Sequence, residues 1–268
     1  MATSSFSRAE EAAVSRDAAA VFGSRLGLAE RYVALLATTG IDHGLIGPRE
    51  RPRLWDRHVL NCAVVADLIP EAGPGQRVID VGSGAGLPGL VLAIARPDLD
   101  VHLVEPLARR TAWLTVAVAD LGLPNVTIHT ARAETLWGKL TAPWVTARAV
   151  TGIVRLAEWT LPLLEVPGQV LALKGSSGPA ELVEAEAELR RLGVARSELI
   201  DFGVRQGELA STVLRLILQA PPDLRRLRSK GGTSAGSARR RRDRPRGAGG
   251  GKVSGRGRPR PGDGRAVC

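Results

Sequence analysis

The chain has 268 residues, of which 44% are apolar and 24% charged, and this composition excludes a long disordered chain or a fibrous protein. No stretch approaches the roughly 18 to 20 uninterrupted apolar residues of a membrane span, and residues 1–11 lack a secretion signal, so we expect a cytoplasmic protein that contacts no membrane. The two cysteines lack the spacing of zinc ligands, so we expect no metal site. The net charge of +10 is unevenly distributed along the chain.

Residues 1–72 are predicted to form a helical cap. Apolar residues at helical intervals indicate three helices, over Arg8–Val21, Ala29–Leu36 and about Arg51–Leu68. Because this segment is small for a domain of its own, we interpret it as a cover for the domain that follows.

Residues 73–220 alternate between short apolar runs and helical segments, which is the rhythm of βαβ units. The predicted strands are Arg77–Val81, Val101–Glu105, Val126–His129, Trp144–Ala147, Gln169–Leu173, Leu199–Val204 and Thr212–Leu218. The predicted helices are Gly89–Ala95, Leu107–Leu121, Ile153–Leu164 and Pro179–Leu192. Because two strands follow each other at the end, we expect a Rossmann-like α/β domain whose seven-stranded, mostly parallel sheet ends in a hairpin.

Residues 221–268 form a basic tail. They contain 15 of the 37 Lys and Arg residues but only 3 of the 27 Asp and Glu, which leaves 22 against 24 in residues 1–220. A segment of Gly, Pro, Ser and Arg cannot offset a chain entropy of about 1–2 kcal/mol per residue, so we predict disorder. Such a polycation suits nonspecific contact with an RNA backbone, and a solvated tail without a role is the alternative.

A glycine-rich turn follows the first predicted strand. Asp80 lies in that strand, and the four glycines of the turn are Gly82, Gly84, Gly86 and Gly89. Glycine permits positive φ and lets the backbone touch a ligand beyond the carboxyl end of a strand. Glu105 ends the second predicted strand, where it is placed to accept hydrogen bonds from ribose hydroxyls.

Two cofactor classes use such a turn. Gly84-x-Gly86-x-x-Gly89 satisfies the dinucleotide fingerprint, so an NAD-dependent oxidoreductase is one alternative, and a turn that serves only packing is another. The aspartate two residues before the first glycine is typical of class I S-adenosylmethionine methyltransferases. An acid there suits the ammonium of that cofactor and would repel a pyrophosphate, so we predict S-adenosylmethionine.

The methyl acceptor can be narrowed by elimination. Enzymes that methylate exocyclic amines usually carry an Asn/Asp-Pro-Pro-aromatic motif after the fourth strand, which Val145–Val150 lacks. Transfer to pyrimidine C5 needs a cysteine nucleophile in the sheet domain, whereas Cys62 lies in the cap and Cys268 in the tail. What remains is an acceptor that is already nucleophilic, such as a purine ring nitrogen, so we predict no catalytic acid–base pair.

Five ordered blocks of the sequence resemble one family, the bacterial 16S rRNA guanine-N7 methyltransferases of the RsmG/GidB type. The blocks are LWDRHVLN at 54–61, the turn at 78–89, RAE at 132–134, ARA at 147–149 and ALKG at 172–175. The resemblance covers roughly residues 20–219. It implies transfer to N7 of a guanine in 16S rRNA, as free RNA or as a small-subunit ribonucleoprotein particle. A non-catalytic ribosome-assembly protein that binds RNA is the alternative.

The resemblance also implies which residues bind the cofactor. Asp80 and Glu105 would anchor its methionine and ribose portions, and Glu134 would meet the adenine amino group. Arg148 is a candidate for the cofactor carboxylate or for a phosphate of the target nucleotide, with a surface ion pair as the alternative. The full set of cofactor-binding candidates is Gly82, Leu87, Ala133, Glu134, Arg148, Asp80, Gly84 and Glu105.

Three residues are candidates for RNA contact. Arg57 and His58 resemble the Arg-His pair of the family, and Lys174 at the end of the fifth predicted strand could neutralise a phosphate. Each has a structural alternative, as a packed histidine or a solvated strand end. Trp55 is the tryptophan best placed to stack on a base.

The sequence departs from the family at one position. Many members carry Asn-Leu-Thr where this chain has Gly44-Leu45-Ile46. A polar contact of that asparagine must therefore be absent here or supplied by another side chain, for which His43 is the candidate.

Overall fold

A computed structural model describes residues 8–71, 73–148, 151–202 and 211–222. Residues 223–268, which carry nearly all of the predicted basic tail, lie outside this described part. Among the described residues, none of the helices combines the length and the apolar character needed to cross a bilayer.

The N-terminal segment is helical, as predicted, but its third helix is divided into short pieces. Pro52 lacks an amide donor, which interrupts the α-helical hydrogen bonds at the start of this stretch, where the chain forms a 3₁₀ helix. The residues after it continue as shorter π-helical, α-helical and 3₁₀ pieces. The pieces are α1 (Arg8–Phe22), a 3₁₀ turn (Gly23–Arg25), α2 (Leu26–Leu35), a π-helical turn (Leu36–Gly40), a 3₁₀ helix (Pro48–Arg53), a π-helical segment (Leu54–Leu60), α3 (Asn61–Ala63) and a 3₁₀ turn (Ala66–Leu68).

The rest of the described chain alternates between strands and helices. The strands are β1 (Gln76–Val81), β2 (Leu99–Glu105), β3 (Val126–Thr130), β4 (Ala142–Arg148), β5 (Leu164–Lys174), β6 (Val194–Asp201) and β7 (Thr212–Leu218). The helices are α4 (Gly89–Ala95), α5 (Ala108–Leu121), α6 (Ala133–Leu136), α7 (Ile153–Thr160), a 3₁₀ turn (Leu161–Leu163) and α8 (Gly178–Arg191).

The strands form one seven-stranded sheet in the order β3-β2-β1-β4-β5-β7-β6. Strands β1 to β5 are parallel, whereas β7 runs antiparallel to both β5 and β6. The Rossmann-like fold class and the terminal antiparallel pair are therefore confirmed. This topology brings the carboxyl ends of β1, β2 and β4 to one edge of the sheet, where α/β proteins bind their ligands.

Several predicted bounds differ from the structure, and one helix was not predicted. Strand β5, predicted at Gln169–Leu173, runs from Leu164 to Lys174. The sixth strand, placed at Leu199–Val204, begins at Val194 and ends at Asp201, because an edge strand carries charged residues that hide its apolar alternation. The helix placed at Ile153–Leu164 ends at Thr160, before Pro162. Helix α6 was not predicted, since four residues are too few to show a period.

Each face of the sheet carries its own hydrophobic core. The N-terminal helices contribute to the first core, in which Phe22, Tyr32 and Leu36 pack with Leu90 and Leu103. The second core lies on the opposite face, between the sheet and helices α7 and α8. Because the helical segment has no core of its own, its side chains reach the ends of the strands and help to form the site there.

Candidate active site

A cavity of about 580 Å³ opens beyond the carboxyl ends of β1, β2 and β4. This volume lies within the range of cofactor and ligand sites. The N-terminal helical segment, the glycine-rich turn, the β2–α5 and β3–α6 connections and the end of β4 all contribute to its wall. The lining residues are Leu45, Ile46, His58, Val81, Gly82, Ser83, Gly84, Ala85, Leu87, Val104, Glu105, Pro106, Leu107, Arg110, Ala131, Arg132, Ala133, Glu134, Arg148 and Trp159.

The glycine-rich turn has the backbone that its sequence predicts. Gly82, Gly84 and Gly86 have φ angles of +74°, +55° and +90°, a region that side chains with a Cβ rarely adopt. At Gly89, which begins α4, a Cβ would come within 2.7 Å of Asp80 Oδ2 and closer still to Leu103 Cδ2. The turn therefore lies directly against the sheet and leaves its backbone open to the cavity.

Asp80 lies behind the turn and does not line the cavity. Its carboxylate is fully buried, and Oδ2 accepts a hydrogen bond of 3.0 Å from the Gly89 amide. The other oxygen, Oδ1, is buried without a hydrogen-bond partner among the described residues. Burial raises the pKa of Asp80 to about 7, despite the bond from Gly89.

Glu105 is a buried carboxylate that lines the cavity. Its Oε2 accepts from the Gly84 amide at 3.1 Å and from Arg110 Nη1 at 3.3 Å, and its Oε1 accepts from the Leu107 amide at 3.0 Å. A carboxylate has about four acceptor sites, so these three donors leave capacity for one more. The glycine turn and the end of β2 are thus fixed to each other by a side chain that can still accept from a ligand.

Arg148 ends β4 and is anchored to the N-terminal helical segment. Its Nη2 donates to His58 Nδ1 at 2.9 Å and to the Arg57 carbonyl at 3.4 Å, and its Nη1 donates to Cys62 Sγ at 3.5 Å. A guanidinium has five N–H donors, so two remain beyond these three contacts. Arg148 lines the cavity, so its positive charge lies next to any anion bound there.

His58 lies between Arg148 and a carboxylate. Its Nδ1 accepts from Arg148, so the proton of the neutral ring must be on Nε2, which donates to Glu50 Oε2 at 2.9 Å. Burial, followed by the charge of Arg148, lowers the pKa of His58, so the ring is neutral at pH 7. Glu50 also accepts from Arg57 Nη1 at 3.0 Å, and its hydrogen bond with His58 lowers its pKa.

Comparison with known proteins identifies the family. A family model described as GidB, rRNA small subunit methyltransferase G, matches residues 25–209. The chain belongs to the GidB family. It is 52% identical over 210 residues to the ribosomal RNA small subunit methyltransferase G of Pseudarthrobacter chlorophenolicus, covering 78% of this chain and 96% of that protein. It is 47% identical over 232 residues to the protein of the same name from Streptomyces coelicolor, covering 86% and 96%.

Membership of the GidB family confirms the predicted S-adenosylmethionine-dependent methyltransferase and does not favour the NAD-dependent oxidoreductase. The cavity lining fits this cofactor in two respects. Glu105 has spare acceptor capacity for a ribose hydroxyl, and the glycine turn presents backbone without side chains to a ligand that packs closely. Asp80 does not line the cavity, but its buried carboxyl group lies beneath the turn, where a negative charge would attract the ammonium group of the cofactor.

The structure brings most of the predicted site residues of this GidB protein together. Those that line the one cavity are Gly82, Gly84, Leu87, Glu105, Ala133, Glu134, Arg148 and His58. Arg57 and Lys174 do not line it, since Arg57 is paired with Glu50 and Lys174 Nζ lies 2.6 Å from Glu181 Oε2. Trp55 packs edge-on against Phe22, with the ring centres 6.3 Å apart. The roles assigned to all of these residues stay predictions.

The backbone conformation at Gly44 explains why this chain can carry glycine where many family members carry asparagine. Its φ is +66°, and a Cβ there would meet nothing within 4 Å. The left-handed region favours glycine and also tolerates asparagine, so either residue fits the turn. His43, the predicted substitute, contacts the Thr39 carbonyl through Nδ1 at 2.8 Å and does not line the cavity.

Trp159 and Tyr32 are among the residues at the site that the sequence analysis did not predict. Trp159 reaches the cavity from α7, and Tyr32 in α2 is fully buried with its hydroxyl 2.8 Å from the Ala85 carbonyl in the glycine turn. Tyr32 is the only tyrosine of the chain, and a tyrosine in an apolar helix needs a partner for its hydroxyl. That signal indicates that a partner exists, but it does not identify Ala85.

We expect Tyr32→Phe to lower both the stability and the cofactor affinity. The substitution leaves the Ala85 carbonyl without its donor, which costs about 1–3 kcal/mol of unfolding free energy when the group is buried. Because Ala85 lies in the turn that lines the cavity, affinity for S-adenosylhomocysteine should fall severalfold. Chemical denaturation and titration calorimetry measure the two effects, and unchanged affinity would show that α2 does not support the turn.

Proposed function

We propose that this chain transfers a methyl group from S-adenosylmethionine to N7 of a guanine in 16S rRNA, in the cytoplasm and without a general base. The observation that carries the proposal is the state of the two buried titratable side chains that line the cavity. Glu105 already accepts from three donors, and His58 is held between Arg148 and Glu50. Neither of these buried groups is free to remove a proton. Glu134, the other carboxylate among the described lining residues, is exposed and is assigned below to the adenine amino group.

An acceptor without a proton suits such a site. Guanine N7 carries a free lone pair, whereas an exocyclic amine or a hydroxyl must lose a proton before or after it is methylated. When bound, S-adenosylmethionine supplies a methyl group on a sulfonium sulfur, whose sulfur–carbon bond breaks as the carbon–N7 bond forms and the positive charge passes to the guanine. The residues of this chain would then act by positioning and by excluding water.

The cofactor roles follow from the position of each group. Glu105 would accept from a ribose hydroxyl with its remaining acceptor site, and Glu134, on α6, would accept from the adenine amino group. Arg148 would bind the cofactor carboxylate with its two remaining donors, which accounts for a cation in a site that binds a sulfonium. Asp80 would place its negative charge beneath the turn, close to the ammonium.

Guanine must leave its stack to reach the cavity, at a cost of a few kcal/mol. We propose that Arg57 and Lys174 contact the surrounding RNA, because guanidinium and ammonium groups can pair with phosphate. The Arg57 side chain is half exposed, whereas that of Lys174 is mostly buried and would have to turn outward. Each would exchange its present carboxylate partner, Glu50 or Glu181, for a phosphate oxygen. His58 stays within the protein network in this proposal.

The test is transfer of labelled methyl to small-subunit rRNA, followed by digestion and identification of the labelled nucleoside. We expect 7-methylguanosine. A matched transcript in which 7-deazaguanosine replaces guanosine has a C–H group in place of N7, so it should accept no label. Label in any other nucleoside, or in the deaza transcript, would contradict the proposal, as would the absence of transfer to free RNA and to small-subunit particles alike.

The basic tail yields a separate prediction, which falls on residues outside the described part. Deletion of residues 223–268 should weaken nonspecific RNA binding and flatten its dependence on salt, because counterion release scales with the number of phosphate contacts. If about 6–10 of its charges engage phosphates, they account for a 10³–10⁵-fold loss between 50 and 200 mM salt. Filter binding over a salt series measures the slope, and a slope equal to that of the full chain would refute the role.

A further inference from the structure

We propose that Glu50 is a positioning residue for the cofactor: acting through His58, it holds the Arg148 guanidinium in the orientation that binds the cofactor carboxylate. The inference rests on the role of Arg148 given under the proposed function. Glu50 itself does not line the cavity. It belongs to the 3₁₀ helix Pro48–Arg53, and His58 connects it to Arg148 through two hydrogen bonds of 2.9 Å. A second and looser connection passes through Arg57, whose side chain donates to Glu50 at 3.0 Å and whose carbonyl accepts from Arg148 at 3.4 Å.

The geometry of Arg148 makes its orientation dependent on His58. All three of its acceptors come from one helical stretch, the Arg57 carbonyl, His58 Nδ1 and Cys62 Sγ. The contact with His58, at 2.9 Å, is the shortest, while those with Arg57 and Cys62 measure 3.4 and 3.5 Å. Losing the short contact would free the guanidinium to rotate, and its two remaining donors would then no longer be held in one orientation.

Glu50 decides whether His58 can accept. A neutral imidazole has one donor nitrogen and one acceptor nitrogen, and the hydrogen bond at one nitrogen fixes the state of the other. With Glu50 accepting from Nε2–H, Nδ1 is an acceptor and faces Arg148. Without Glu50 the proton can move to Nδ1, where it would point at the guanidinium and repel it.

Protonation of His58 should have the same consequence. The imidazolium has a proton on both nitrogens, so it cannot accept from Arg148. The titratable and charged groups around this network are Arg57 and Arg53 beside Glu50, and Asp80 and the neutral thiol of Cys62 beside Arg148. Because the pKa of His58 is lowered, the ring stays neutral at pH 7 and the contact is lost only as the pH falls below the usual histidine range.

The decisive experiment compares two ligands, S-adenosylhomocysteine and methylthioadenosine. Methylthioadenosine keeps the adenosine and sulfur portions but lacks the amino acid end, so it has no carboxylate for Arg148. We expect Glu50→Ala to weaken S-adenosylhomocysteine binding about tenfold and to leave methylthioadenosine binding unchanged, as measured by calorimetry. Glu50→Gln should restore most of the affinity at pH 8, because its amide oxygen still accepts from Nε2–H.

The chain offers a matched control at Glu198. It is a partly exposed glutamate with two arginine partners, Arg196 and Arg215, and it lies on edge strand β6. Its side chain is 22% exposed, against 28% for Glu50. Glu198→Ala should therefore lower stability to a similar extent while leaving both ligand affinities unchanged.

A second readout is the pH dependence of S-adenosylhomocysteine affinity. Removing the carboxylate of Glu50 disfavours the imidazolium, so the pKa of His58, followed by NMR in the ligand-free protein, should fall further in Glu50→Gln. The loss of affinity at acidic pH should move to lower pH with it. Asp80 also titrates near pH 7, so the shift between wild type and Glu50→Gln isolates the contribution of His58.

Equal losses for both ligands in Glu50→Ala would overturn the inference, since they would indicate a general collapse of the cavity. Unchanged affinity for both would overturn it too. Neither outcome depends on RNA, so failure here is distinguishable from failure of the proposed function, which would appear as normal ligand binding without 7-methylguanosine.

Discussion

Gly89→Ala should abolish measurable cofactor binding and destabilise the protein by on the order of 1–3 kcal/mol. A Cβ at this position would lie 2.7 Å from Asp80 Oδ2 and 3.0 Å from Asp80 Cβ, and closer still to Leu103 Cδ2. Asp80 and Leu103 are both fully buried, in β1 and β2, so neither can retreat. Helix α4 would have to move away from the sheet, breaking the Gly89–Asp80 hydrogen bond and displacing the turn that lines the cavity.

Gly27→Ala is the matched control for this substitution. Gly27 is exposed in α2, and a Cβ there would meet nothing within 4 Å. In a helix interior alanine is favoured over glycine by roughly 0.5–1 kcal/mol, so stability should rise and ligand affinity should not change. Calorimetry with S-adenosylhomocysteine measures the affinity of the two variants, and urea denaturation measures their stability. Full affinity in Gly89→Ala would show that the turn does not depend on its close contact with Asp80.

The sequence was sufficient wherever a local pattern determines the structure. Helix α4 and strand β7 have the predicted bounds, because a Gly-Leu-Pro-Gly turn marks the start of α4 and a run of branched apolar residues marks β7. The glycine turn was predictable for a similar reason, since its positive φ angles require glycine. Asp80 and Glu105 could be predicted as site residues because Asp80 lies in the first predicted strand and Glu105 ends the second.

The contacts that organise the site could not be predicted in this way. Arg148 and His58 are 90 residues apart, and Tyr32 and Ala85 are 53 residues apart, so no periodicity connects them. Glu50 was missed because, in the sequence, it is one charged residue in an arginine-rich stretch. Asp80 was expected to face the cofactor, and its position behind the turn depends on how tightly α4 packs against β1 and β2.

Asp80→Asn should weaken S-adenosylhomocysteine binding about tenfold or more and yet stabilise the ligand-free protein at pH 8. The affinity falls because the negative charge beneath the turn, proposed to attract the cofactor ammonium, is removed. Methylthioadenosine, which lacks the ammonium, should bind as tightly as it does to wild type. The asparagine oxygen can still accept from the Gly89 amide, so the turn keeps its anchor.

The stability gain has a definite pH dependence. The pKa of Asp80 is raised from 3.8 to about 7 by burial, so the folded state binds a proton that the unfolded state releases between these values. Wild type therefore has the full stability of a neutral group below about pH 4 and loses it as the pH rises to about 7. An amide cannot ionise, so the variant does not incur this loss.

Denaturation of both proteins at pH 4 and pH 8 tests the argument. At pH 4 a protonated carboxyl and an amide are both neutral, and the two proteins should be nearly equal in unfolding free energy. At pH 8 the variant should exceed wild type by on the order of 4 kcal/mol, since a shift of one pKa unit corresponds to 1.36 kcal/mol. The titration of His58 and His129 is common to both proteins and cancels in the difference. If the variant were instead less stable than wild type at pH 8 and equal to it at pH 4, the carboxylate of Asp80 would be ionised and stabilised within the fold, and burial would not raise its pKa.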